Sequence, residues 1–466
     1  MAHVLHVGAL GAYSDGVSPG PSTALLTDQY ELTMLSAALR DGTADTPCTF
    51  EVFARSLPPG RRYGVLAGLG RLAHLLPGFR FGEPELEVVS RFLDDTTVQW
   101  LSEYRFGGDI DGYPEGELYF PGSPVLSVRG TFAECVVLET LVLSVFNHDS
   151  AIASAAARMV GAAAGRTMIE MGSRRTHEDA AVAASRAAYI AGFDSTSNLE
   201  AVRRWGIPGA GTSAHAFTLL HTGPGGPDEA AAFRSQIEAL GVSTTLLVDT
   251  YDITAGVRTA IEVAGPELGG VRIDSGDVGV LARQVRDQLD ELGAPGTRIV
   301  VSGDLDEYAI AALRAEPVDV YGVGTSVVVG SGAPTAGMVY KLVEVDGIPV
   351  EKRSAHKTTR GGSKSAVRVA RPTGTFVEEL VFPAGADPDD AVAAAGHDAA
   401  DVLVRTLPVP LVRGGDAVAP PESLDAVRAR VAAGRIGLPW EGLTLSHGDP
   451  AVPVRFVSPP TSGGHS

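Results

Sequence analysis

Between Arg166 and Val329 the chain alternates with a regular beat. Short runs of β-branched and apolar residues, Thr167 to Met171, Gly209 to Ala214, Thr244 to Val248, Val271 to Ile273, Arg298 to Val301 and Val318 to Val323, predict strands. Between them lie stretches whose apolar positions recur at helical spacing. In Asp277 to Leu292, the residues Val278, Leu281, Val285, Leu289 and Leu292 fall on one face, with Gly293 as the stop. Phe233, Ile237 and Leu240 make a second such face before Gly241. Repeated strand–helix units with short links predict a parallel sheet, closed into a barrel or open and doubly wound.

The flanks have another texture. Leu25 to Asp28 predicts a short strand or turn leading into a helix near Tyr30 to Leu39. Thr49 to Ala54 alternates as a strand does, and Leu118 to Val128 predicts strand segments around a turn. Gly337 to Arg353 predicts a hairpin around Asp346-Gly347. The pattern divides the chain into a Gly/Ser/Pro-rich mobile tail (1–22), an N-terminal α+β domain (23–150), a barrel domain (151–342), a C-terminal segment packing back on the N-terminal domain (343–457) and a second mobile tail (458–466). The segment 343–457 carries Lys352, Arg353, Lys357, Arg360 and Lys364.

Candidate chemistry collects where the predicted barrel strands end. Thr167 to Met171 runs into Gly172-Ser173-Arg174-Arg175, and Pro208 to Gly211 into Thr212-Ser213-Ala214-His215. Leu246 to Val248 runs into Asp249-Thr250-Tyr251-Asp252, and Val271 to Ile273 into Asp274-Ser275-Gly276-Asp277. Ile299 to Val301 leads to Ser302-Gly303-Asp304, and Val320 to Val323 to Gly324-Thr325-Ser326. In parallel α/β barrels, loops and helix N-termini converge at the carboxyl ends of the strands. Each piece also has an ordinary reading: Ser, Asp and Gly are common helix caps, Arg174-Arg175 suits a solvated turn, and Arg272 with Asp274 suits an ion pair in the barrel mouth. Convergence shifts the balance, because Gly-rich turns with arginines nearby make phosphate cradles. The stretch Leu246 to Gly256 looks like the phosphoribosyl-pyrophosphate loop of open-sheet phosphoribosyltransferases, but its surroundings are barrel-like and those roles are not transferred.

Composition narrows the partners. The formal charge is −19, which repels a nucleic-acid backbone. Two cysteines, Cys48 and Cys135, sit in apolar runs, so neither a disulfide framework nor a thiolate metal site is expected, and a reducing cytoplasm fits. No signal peptide is apparent, and the longest apolar run, Cys135 to Phe146, is short of a bilayer span, so a soluble chain is expected.

At these strand ends the chain resembles nicotinate phosphoribosyltransferases, of the barrel-containing class shared with the nicotinamide and quinolinate enzymes. The matching stretches are Leu25 to Met34, Gly172 to Arg175, Gly211 to His215, Val271 to Asp277, Ser302 to Asp304 and Gly322 to Ser326, in the family's order. The resemblance implies an irregular, TIM-like α/β barrel plus an α+β domain built from the N- and C-terminal segments. It implies that His215 is transiently phosphorylated by ATP, that Asp249 orients its ring, and that Asp274 is a further catalytic acid. Tyr30, Thr212, Arg272, Met171 and Ser197 match nicotinate-contacting positions. Arg55, Arg174, Gly303, Asp304, Gly324 and Thr325 match positions holding phosphoribosyl pyrophosphate. Mg²⁺ and ATP are implied as cofactor and co-substrate, with no resident metal site. Tyr30 and Arg55 are expected to reach the site of a neighbouring subunit, which implies a homodimer. Met171 stands where the wider class commonly has an aromatic; a thioether also contacts a ring face.

The alternatives are the nicotinamide enzyme and, more distantly, a sugar-phosphate lyase or isomerase. Hydroxyls around Ser195 to Asn198, where the amide enzyme wants an acid, favour nicotinate. No lysine precedes Lys341, which disfavours a Schiff-base aldolase.

Overall fold

The computed structural model describes residues 22–352 and 360–458. The terminal tails, apart from Ser22 and Ser458, and the basic residues Arg353 and Lys357 lie outside the described residues. Six parallel strands form the catalytic-domain sheet, in the spatial order Thr245–Leu247, Gly270–Ile273, Arg298–Val301, Val320–Val323, Thr167–Glu170, Ser195–Thr196. Read around a circle this is chain order, so the sheet is a barrel cut along one seam. The chain between the two edge strands lies at the cut. It joins the sheet at Gly209, in a single parallel bridge to Thr196. The strand expected over Gly209 to Ala214 is therefore reduced to one bridge. Gly209 and Gly211 supply no side chains for a sheet face, Pro208 supplies no N–H for a ladder, and Thr212 is exposed. The Ser195–Thr196 strand was not anticipated.

Most helices follow the periodicity. Val278–Glu291 starts on Asp277, whose side chain accepts from Val280 N, and buries Val285 and Leu289. Glu229–Leu240 buries Phe233, but Leu240 is exposed: as the last residue before Gly241 it has turned off the packed face.

The N-terminal domain holds an antiparallel seven-stranded sheet, ordered Ile348–Pro349, Met338–Val345, Pro47–Ala54, Leu126–Thr131, Asp109–Gly112, Val409–Arg413, Asp416–Ala417. Pro47–Ala54 lies mid-sheet and is buried on both faces, so its alternation vanishes; buried Glu51 is met by Lys364 Nζ at 2.8 Å. The hairpin turns at Asp346 and Gly347, both with positive φ. Four later strands, Met338–Val345, Ile348–Pro349, Val409–Arg413 and Asp416–Ala417, thus complete the N-terminal sheet. A separate four-stranded sheet (Leu403–Thr406, Lys364–Ala370, Phe376–Pro383, Val454–Phe456) is pinned to the N-terminal domain through buried Arg368, whose Nη2 donates to Leu118 O at 2.8 Å. Not all of the C-terminal segment packs this way: helix Leu424–Gly437 inserts Val427 and Val431 into the barrel-side core.

One helix joins the two cores. Glu139–Ala163 runs 25 residues across the position at which the pattern divided the domains. The apolar run ending at Phe146 continues beyond the polar trio Asn147-His148-Asp149, and Phe132–Ala163 is long and apolar enough to cross a bilayer. This corrects the sequence estimate. In the fold, 67% of its most apolar window is buried inside the protein. Arg71 meets the interrupting Asp149 at 2.6 Å.

Candidate active site

The carboxyl ends of the cut barrel bring four predicted residues together. His215 opens the helix His215–Leu220 at the seam and is partly exposed. Its Nδ1 lies 3.1 Å from Thr250 Oγ1, while Nε2 faces Asp249 Oδ1 at 3.8 Å and Asp274 Oδ2 at 4.0 Å. Asp249 is almost wholly buried. Its Oδ2 accepts from Asp274 N at 2.8 Å and Ser275 Oγ at 2.9 Å, while its Oδ1, the oxygen towards His215, has no hydrogen-bond partner among the described residues. Asp274 is held in turn by Ser302 Oγ, which donates to its Oδ1 at 2.5 Å.

Arg272 is the informative cation. It does not form the ion pair with Asp274 that strand periodicity allowed. Its Nη1 donates only to Ser213 O, at 3.3 Å, and its buried Nε has no partner among the described residues. A guanidinium left without a carboxylate in a half-buried mouth can receive an anion.

Glycine turns close the other strand ends. Gly172 starts the turn bearing exposed Arg174, and a Cβ there would stand 2.1 Å from Val328 Cγ1, so only glycine fits. Gly303 has φ +123, and its missing Cβ clears Asp274 O. Asp304 and Thr325 are exposed beside these turns, and Gly324 precedes the helix Thr325–Val328. Met171 lies against the barrel: a Cβ on Gly322 would fall 2.8 Å from its sulfur. Thr212 and Ser197 are exposed at the seam side.

Two predicted residues are not joined to the group within the chain. Tyr30 sits on Gln29–Asp41, where its hydroxyl donates to Glu139, and Arg55 is exposed at the end of Pro47–Ala54; neither bonds to a barrel-mouth residue among the described residues. Two acids were missed. Glu170, buried at a strand end, accepts from Gly172 N, Ser185 Oγ and Thr196 Oγ1. Glu229 has a buried, unpartnered Oε1, and its carboxyl is pushed up to about 7 by burial and then by Asp249 and Asp252. In sequence, Glu229 looks like an ordinary first-turn residue.

A parallel barrel whose open end carries a histidine between acids, a free arginine and glycine turns defines an enzyme for anionic, phosphorylated small molecules. A family model for the nicotinate phosphoribosyltransferase N-terminal domain matches residues 25–147. The chain is 66% identical over 436 residues to a nicotinate phosphoribosyltransferase of Mycobacterium tuberculosis, covering 93% of this chain and 95% of that protein. It is 32% identical to the Homo sapiens enzyme of the same name, over 80% of this chain and 81% of that one. The solved human nicotinic acid phosphoribosyltransferase superposes with a TM-score of 0.74 at 27% identity, covering 93% of this chain and 97% of that one. A nicotinate-nucleotide pyrophosphorylase structure from Pyrococcus furiosus gives 0.73 at 26% identity, over 89% and 95%. The chain belongs to the nicotinate phosphoribosyltransferase family.

Proposed function

We propose that this protein joins nicotinate to phosphoribosyl pyrophosphate, giving nicotinate mononucleotide and pyrophosphate on the salvage route to NAD, and couples the step to ATP through a phosphohistidine at His215. The observation that carries the base assignment is the unpaired Arg272 guanidinium, which suits the carboxylate of nicotinate and has no counterpart need for an amide. Met171, Thr212 and Ser197 line the ring side, with Tyr30 of a second copy completing it. Arg174, Gly303, Asp304, Gly324 and Thr325, with Arg55 of that copy, hold the phosphoribosyl group.

The ring geometry favours one nitrogen for the phosphoryl group. Nε2 faces two carboxylates, so it keeps its proton and donates towards Asp249 Oδ1 after the ring moves about 1 Å, to ordinary hydrogen-bond distance. Nδ1, beside the Thr250 hydroxyl, is left as the nucleophile. An Nδ1–P bond forms as the bond from γ-phosphorus to the ADP oxygen breaks; ADP leaves with the electron pair, and Asp249 and Asp274 offset the charge on the ring. Water later attacks the phosphorus, the N–P bond breaks and phosphate leaves.

In the transfer itself the protein positions and stabilises. The pyridine nitrogen bonds to C1 of the ribose as pyrophosphate departs. Among the described residues no three His, Cys, Asp or Glu converge as a metal cage. The free oxygen of Asp274 and the exposed Asp304 suit Mg²⁺, which typically takes one or two carboxylates and fills its shell from substrate oxygens. When bound, it supplies charge neutralisation for the leaving pyrophosphate. A cytoplasmic setting is supported by two buried, unpaired cysteines.

Incubation with ATP radiolabelled on the γ-phosphate tests the coupling. The protein takes up label, His215→Ala takes up none, and His215→Ala retains slow ATP-independent formation of nicotinate mononucleotide. Full coupling in His215→Ala removes the histidine from this role, and preference for nicotinamide over nicotinate defeats the base assignment.

A further inference from the structure

Glu170 ends the first barrel strand with its side chain almost wholly buried, and no arginine, lysine or histidine pairs with it among the described residues. Neutral donors from three elements meet it instead. Oε1 accepts from Gly172 N at 2.5 Å; Oε2 accepts from Ser185 Oγ at 2.8 Å and Thr196 Oγ1 at 2.5 Å. Burying an anion without a counter-charge is costly, and a leucine would fill the same space without that cost. Packing alone therefore does not account for the residue.

What the carboxylate joins does. Gly172 begins the turn that follows Met171 and carries Arg174. Thr196 immediately precedes Ser197, whose own N–H donates to Glu170 O at 2.9 Å. Asn198 Nδ2 donates to Ser173 Oγ at 3.0 Å, a second tie between the same two turns. Ser185 belongs to the helix Glu178–Ala191, which anchors both from behind. One side chain thus sets the spacing between a turn assigned to phosphate and a turn assigned to the pyridine ring.

We propose that Glu170 is a positioning residue for the transfer reaction, holding Arg174 and the Met171–Ser197 ring contacts in register so that binding of both substrates depends on it. This rests on the site reading given under Proposed function. Positioning errors of this kind weaken productive binding across a site rather than at one contact.

The test compares Glu170→Gln, Glu170→Leu and Arg174→Ala with the unmodified protein, by KM for nicotinate and for phosphoribosyl pyrophosphate, kcat and thermal unfolding. Glutamine keeps the length and an acceptor for Gly172 N, and its amide can donate to hydroxyls that turn round; leucine keeps the bulk and removes every acceptor. The expected result is that Glu170→Leu raises both KM values at least about tenfold with a smaller change in kcat, while Glu170→Gln stays within about threefold. A Glu170→Leu protein that melts lower but keeps both KM values overturns the proposal and leaves Glu170 an ordinary core residue. Should Glu170→Leu fail to fold, Thr196→Val decides: a rise in both KM values supports the proposal, and unchanged values overturn it. Arg174→Ala separates the two failures. A raised KM for phosphoribosyl pyrophosphate there, with none in Glu170→Leu, sinks this inference alone; unchanged constants in Arg174→Ala sink the site reading and the inference with it.

Discussion

Arg272 and Asp249 show what single residues reveal about the site, because each keeps a buried polar atom without a partner. Such atoms are rare in native proteins, since an unmet donor or acceptor costs about 1–3 kcal/mol. Their survival at the barrel mouth is explained if substrate or a moving ring completes them. For Arg272 the expected outcome is quantitative. Arg272→Ala loses a charge-assisted pair of about 1.5–3 kcal/mol, so the Michaelis constant for nicotinate rises roughly ten- to hundredfold. Steady-state kinetics with nicotinate varied at saturating co-substrates reads this directly, and an unchanged constant takes Arg272 out of the base site. These residues were legible in the sequence because strand ends concentrate chemistry, whichever barrel they belong to. Glu170 and Glu229 were not. A glutamate within a strand or in the first turn of a helix carries no local mark of its later burial, which is decided by residues far along the chain.

At the scale of elements, periodicity predicted five of the six catalytic-domain strands and the faces of their helices, since each rests on local pattern. It failed where pattern is thin. The two-residue strand Ser195–Thr196 is held by its neighbour's hydrogen bonds rather than by its own apolar residues, and Gly209 to Ala214 has too few side chains to complete a sheet edge. The long helix was misjudged because Asn147-His148-Asp149 reads as a break, whereas tertiary partners absorb those polar groups. Close packing between elements gives a second prediction. Gly172→Ala places a methyl where Val328 already stands, so the Gly172–Arg175 turn and the Thr325–Val328 helix must separate. Overpacking of this sort costs about 1–3 kcal/mol. The expected result is a lower unfolding midpoint together with a raised KM for phosphoribosyl pyrophosphate; a variant that matches the parent in both measurements shows that the two elements are not rigidly apposed.

For the whole molecule, buried charge fixes how the segments dock. Arg368 lies between Glu379 and Glu117, and Tyr113 Oη donates to Glu379 at 2.6 Å, so one guanidinium ties the four-stranded sheet to the N-terminal domain. Arg368→Met leaves buried Glu379 with the Tyr113 hydroxyl but no guanidinium, while Glu117 keeps Arg405, and unfolding by denaturant should register a loss of about 3–5 kcal/mol. A loss below about 1 kcal/mol, the value of an exposed pair, shows that the tie is not what holds the sheet. Glu31 adds a pH dependence. Burial pushes its carboxyl from an ordinary 4.5 up to about 7, so between those values the folded chain holds a proton that the unfolded chain has lost. Stability from this group therefore falls as pH rises through that window. The parent protein should lose more stability between pH 5 and pH 8 than Glu31→Gln does, and equal losses refute the assignment. No such docking bond was visible in the sequence, because its partners are separated by most of the chain's length.

The cut in the barrel leaves His215 beside a stretch that a closed sheet would hold by ladders on both sides. In a sealed barrel, shifting one strand means breaking ladders on two sides; along this seam the Gly209–Ala214 stretch has one backbone bridge, to Thr196, and one side-chain tie, from Arg272 to Ser213 O. Under the proposed role, a group that receives a phosphoryl load, discharges it and returns would be mounted on the part of the wall with the fewest ladder bonds to break.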